Sequence, residues 1–116
     1  MASQVHGTWG AAKQVPGTAT LNTGGFAVVN SVSCAAAGNC SAGGGYETGS
    51  GHQQAFVVSQ VHGRWGTATE VPGTAALGPG GAGITSLSCA TAGNCSAGGG
   101  YTDSSGHGQA FVVSET

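Results

Sequence analysis

The chain has 116 residues and a mass of 11.0 kDa, which is room for one small domain and excludes a multidomain enzyme. Glycine fills 24 positions and Leu, Ile, Val and Phe together supply about 16% of residues, little for a thick core; with 5% charged residues and a net charge of −2, disorder driven by charge repulsion is excluded as well. Two basic residues, Lys13 and Arg64, make no footprint for nucleic acid or an anionic membrane, and no run approaches the roughly 20 apolar residues of a membrane span, so the sequence reads as soluble as written, with no signal peptide in this chain.

In chain order, the first predicted element is a strand over residues 8–15, ended by Val15-Pro16-Gly17 because proline cannot donate to a ladder. A crossing loop, TATLNTGG, follows. Strands are then predicted over residues 28–34, 40–46, 54–61 and 64–71, short runs of Val, Ala, Ser, Thr and Gly punctuated by turn residues. Ala37-Gly38-Asn39 makes a short hairpin loop between the first two. His62-Gly63 makes a tight turn between the last two, with glycine at a position that demands positive φ. After Val71-Pro72-Gly73 and a second crossing loop, TAALGPGG, strands are predicted over residues 84–89, 95–101 and 109–115. Leu, Glu and Lys are too scarce for helices to be expected.

These elements are copies of one another. SQVHGTWG at residues 3–10 recurs as SQVHGRWG at 59–66, SCAAAGNCSAGGGY at 33–46 recurs as SCATAGNCSAGGGY at 88–101, and QAFVVS at 54–59 recurs at 109–114. The chain therefore reads as a single repeat domain, 1–116, with one repeat over 3–58 and another over 59–116. Each repeat is a four-stranded meander, the pattern of a β-propeller blade. CSAGGGY carries almost nothing larger than serine or alanine before its tyrosine, as a crowded inner strand would, and the continuous AFVV run suits a sheet covered on both faces. The fold class expected is all-β, two four-stranded propeller blades, with a β-trefoil or β-prism as the alternatives. The strand over 8–15 matches the fourth strand, 64–71, and the second repeat has no fourth strand of its own. Two blades cannot close a ring, so the strand over 8–15 is expected to complete the second blade of a neighbouring copy, in a ring of three to five chains. A fragment cut from a longer array is the other reading.

SCAAAGNCSAGGGY followed by SGHQQAFVVSQVHG resembles the cysteine-bearing tandem repeat of long actinobacterial proteins, and resembles β-propeller blades generally. The resemblance covers both repeats; it implies the blade fold and no particular activity. The two-blade size is similar to that of small bacterial lectins and engineered lectin fragments that assemble propellers from two-blade subunits, a resemblance of architecture that implies self-association and glycan binding.

The cysteines fall as Cys34 with Cys40 and Cys89 with Cys95, each pair spanning a hairpin. Facing positions lie about 4.5 to 5.5 Å apart, within disulfide reach. A disulfide in each hairpin is expected, and would point to an exported natural parent; buried thiols are the alternative, and the spacing is not that of a zinc knuckle. His6 and His62 share one turn position, His52 and His107 one loop position, and such repetition suits turn and loop roles better than a catalytic centre. Trp9 and Trp65 follow the hairpin glycine. Either they pack against a neighbouring blade or they stack on a sugar, with His6, His62, Arg64 and Glu70 as polar neighbours. Tyr46 and Tyr101, beside Glu47 and Asp103, are a second candidate surface. Neither a Ser-His-acid signature nor paired carboxylates can be picked out, so no enzyme, cofactor or metal is expected. The function expected is multivalent binding, with carbohydrate as the ligand class; the alternative is a structural or engineered scaffold with no ligand.

Overall fold

The computed structural model describes residues 4–5, 7–21, 23–74 and 80–115, with Val5 by its backbone alone. The chain opens with β1 (Gln4–Val5) and β2 (Thr8–Trp9), a two-stranded hairpin, followed by one helical turn, α1 (Thr18–Leu21). A first antiparallel sheet follows in sequence order, from β3 (Ala27–Ala36), β4 (Asn39–Glu47), β5 (Gln53–Val61) and β6 (Arg64–Trp65), with β7 (Thr69–Glu70) also on β5. The second sheet holds β8 (Ala82–Thr91), β9 (Asn94–Thr102) and β10 (Gly108–Ser114), in the order β10-β9-β8. The molecule is thus mostly β, in two antiparallel sheets built on the two repeats.

Local chemistry sets the turns. His62 and Gly63 both take positive φ, 50° and 82°, the two-residue primed turn whose twist matches that of the flanking strands, and Val61 pairs with Arg64 across it. Both repeats share a bulge in their first strand. In β3 the register slips at Asn30 and in β8 at Thr85, each leaving one residue without a partner opposite. The Asn30 bulge turns its amide outward, where Nδ2 donates to the Ile84 carbonyl of the other sheet at 2.8 Å. Glycine in the middle strands is a spatial requirement, since a Cβ on Gly44 would meet the Val28 carbonyl and one on Gly99 the Gly83 carbonyl.

The fourth strand expected over 64–71 forms as two pieces. Gly66 N still donates to Ser59 O at 2.9 Å, but the register on β5 then slips by one residue before β7, and Ala68 N donates to the Pro16 carbonyl at 2.7 Å instead of to β5. The strand expected over 8–15 is strand only at Thr8–Trp9, paired with Gln4–Val5; beyond it the segment runs to Val15, which is buried against the first sheet. The first crossing loop, read as irregular, holds the turn α1.

The two sheets pack face to face. Ala55 and Val71 meet Ala82, Ile84, Leu87, Ala97 and Phe111 in one apolar cluster between them, with Val57 and Tyr101 at its margin. A second cluster covers the opposite face of the first sheet, where Val15 packs with Ala42, Tyr46, Phe56, Val58 and Ala68. Phe56 and Ile84 are wholly buried, and each such side chain contributes about 1.5–3 kcal/mol.

Candidate functional site

Where the sheets diverge, at the end carrying the β4–β5 and β9–β10 loops, an open groove of about 530 Å³ lies between them. His52 and Gln53, leading into β5, and Asn30 on the β3 bulge form one wall. Tyr101, Thr102 and Gln109, from β9 and β10, form the other, with Gly80, Gly81 and Gly83 between. The described lining residues are neutral hydrogen-bonding groups, glycines and Ala82, plus the imidazole of His52. Gly81 holds φ at 130° with the Gln53 carbonyl 3.2 Å from where its Cβ would be, so only glycine lets the walls approach in this way.

Tyr101 is half-buried, its ring 6.4 Å from that of Phe111 and tilted by 47°. Gln109 is oriented by Asp103, whose Oδ2 accepts from Gln109 Nε2 at 3.4 Å. Asp103 also caps its loop, its Oδ1 accepting from Ser105 N and His107 N at 2.9 Å each. These amide bonds, that from His107 above all, hold its carboxyl below the usual range.

The other sequence candidates are dispersed. Tyr46 is no surface group. It lies buried in the second cluster with 3% of its area exposed, because the segment ending in Val15 covers it. Its hydroxyl donates to Glu70 Oε2 at 2.9 Å; burial first, then the bond and charge of Glu70, push its pKa up to about 12. Trp65 is half-buried against the same cluster, while Trp9 is 66% exposed on the N-terminal hairpin. Trp65 pairs with Gln60 and Glu70 with Phe56, so along β5 they stand about 13 Å apart. The structure therefore does not gather Trp65, Arg64, His62 and Glu70 into one site. His62 and Arg64 are exposed at the β5–β6 turn; His6 lies outside the described residues.

The cysteines are joined as expected, Cys34 to Cys40 and Cys89 to Cys95, across directly facing positions with Cα atoms 3.9 and 4.0 Å apart. They mark the end of the sheets opposite the groove, where a small cavity of about 60 Å³ lies against Cys40, Cys89 and Cys95. No cluster of three His, Cys, Asp or Glu that could hold a metal ion occurs among the described residues.

Sequence reasoning missed Gln53, Gln109 and Asn30, and read His52 only as a loop residue. The one signal available was the glycine pair ahead of the first strand in each repeat, Gly24-Gly25 and Gly80-Gly81, which marks a close approach of backbones. No protein-family model, curated protein or solved structure matches the chain.

Proposed function

We propose that the chain is a non-enzymatic binding subunit made of two propeller-type blades, and that the groove between them takes a neutral carbohydrate. The observation that carries this reading is the groove's lining: one phenol ring, Tyr101, beside the amides of Gln53, Gln109 and Asn30 and the imidazole of His52, with no carboxylate, lysine or arginine among the described lining residues. Sugar rings present apolar C–H faces that pack on an aromatic body and hydroxyls that exchange hydrogen bonds with neutral amides. An open groove of this kind gives weak single-site binding, which repetition on a multivalent surface converts into avidity.

A glycan array probed at high protein concentration, followed by calorimetric titration of the best binder, tests the reading. Tyr101→Ala and Gln53→Ala are each expected to weaken binding at least tenfold, while Trp9→Ala together with Trp65→Ala leaves it unchanged. Absence of any glycan binding, or loss through the tryptophans alone, sinks the assignment to this groove. The alternative of a structural scaffold is favoured by the repetition of the same apolar cluster on two successive faces. It predicts no saturable ligand at all.

A further inference from the structure

We propose that the outer face and outer edge of the second sheet are the docking surface for another copy of this chain, which sits there as the second sheet sits on the first. The inference rests on reading the two sheets as equivalent units, and not on the sugar.

The molecule supplies its own template. On the first sheet, Ala55 is fully buried and Val57 partly buried against the second sheet. Their counterparts in sequence, Ala110 and Val112, lie on the far face of the second sheet, where Ala110 is exposed and Val112 is 89% exposed. What distinguishes these pairs is the covering sheet and the edge segment ending in Val71, both of which Ala110 and Val112 lack among the described residues.

The opposite end of the molecule has the complementary vacancy. Val15, Ala42, Tyr46, Phe56 and Val58 are the counterparts of Val71, Ala97, Tyr101, Phe111 and Val113, and the two sets pack in the same way. The outer cluster lacks the equivalents of Ala55 and Val57, which a preceding sheet would bring, and Val32 and Cys34, the counterparts of Leu87 and Cys89, are not packed into it. Accordingly Leu87 is 9% exposed between the sheets while its counterpart Val32 is 58% exposed. Gln54 Oε1, on this same face, is a buried side-chain oxygen with no partner among the described residues.

Polar contacts repeat the pattern. Ser31 Oγ accepts from Leu87 N and Ser33 Oγ from Cys89 N, both at 3.1 Å, tying the sheets together. Their counterparts, Ser86 and Ser88, are exposed and would accept from Val32 N and Cys34 N of a second copy. At the edge, β5 is covered by β6 and β7, whereas β10 has no strand on its outer side among the described residues. Residues 8–15 of the second copy would take the place that 64–71 take on β5, bringing its Gln14 to the Tyr101 hydroxyl as Glu70 comes to Tyr46. The contact is head to tail, so it repeats from copy to copy.

Native mass spectrometry and light scattering of the intact chain test this at about 100 µM. A discrete oligomer is expected for the unaltered protein. Val112→Asp and Val32→Asp, both at exposed positions, should each leave the single-chain circular dichroism unchanged and weaken association at least tenfold. Mixed together, the two variants should form a one-to-one heterodimer, because each keeps the face the other has lost. A monomer at that concentration, or an oligomer indifferent to both substitutions, overturns the proposal. An oligomer that binds no glycan upholds it and counts against the ligand reading alone.

Discussion

Tyr46 and Tyr101 hold equivalent places in the two repeats, and among the described residues only Tyr46 is hydrogen-bonded to an acid. Its hydroxyl donates to Glu70 from within the apolar cluster, so the neutral phenol is favoured in the folded chain and its pKa stands at about 12 against an ordinary value of about 10. A group whose pKa is raised by folding contributes stability in full below the unfolded value and loses it as the pH climbs through the folded one. Urea denaturation followed across pH 8 to 12 is therefore expected to show stability falling between about pH 10 and 12. Tyr46→Phe should flatten that fall. The pairing was out of reach from sequence, since Tyr46 and Glu70 are brought together by the β7 piece that follows a one-residue slip. A pattern of residue types gives strands and turns; it does not give the phase of a strand after a bulge.

At the scale of elements, the hairpins were the most legible part of the chain. The first three strands of each repeat formed where the short Val-, Ala-, Ser- and Gly-rich runs and their bounding turn residues placed them, extended by one to two residues at most ends and ending one residue early at Ser114. The cysteine spacing gave both disulfides, because two positions flanking a short turn can only face one another. These bridges pin registers that glycine cannot. In the middle strands Gly43-Gly44-Gly45 and Gly98-Gly99-Gly100 offer no side chains to resist slippage. Replacing Cys34 and Cys40 together by serine is expected to cost about 2 kcal/mol, from the entropy of closing so short a loop, measured by urea denaturation. Amide exchange should speed up first at the Ala37-Gly38 turn. What the sequence concealed was the fate of residues 8–15. They share Trp, Gly, Ala and Val with residues 64–71 at equivalent positions, yet among the described residues they have no strand to lie on beyond Gln4–Val5, and of them Val15 is the buried one.

At the scale of the whole molecule, the groove was invisible beforehand because it belongs to neither repeat. His52, Gln53 and Asn30 come from one sheet and Tyr101 and Gln109 from the other, and the two walls meet through the packing of Ala55 and Val57 on Ile84 and Phe111 and through the hydrogen bonds of Asn30, Ser31 and Ser33 to the second sheet. The tryptophans drew attention by their size and turned out to lie apart, one exposed and one against the outer cluster. The two-sheet core has a further thermal consequence. With a buried glycine triplet in the middle strand of the first sheet and a partly buried one in that of the second, much of the interior is backbone, and unfolding exposes polar amide surface along with comparatively little hydrocarbon. Apolar exposure raises the heat capacity and polar exposure lowers it, so scanning calorimetry is expected to return a heat-capacity increment below the usual ~12–15 cal/mol/K per residue. A small increment means a shallow stability curve. Such a chain loses little of its stability on cooling and keeps it over a wide span of temperature, and it achieves this through the hydrogen-bonded backbone of two glycine-floored sheets.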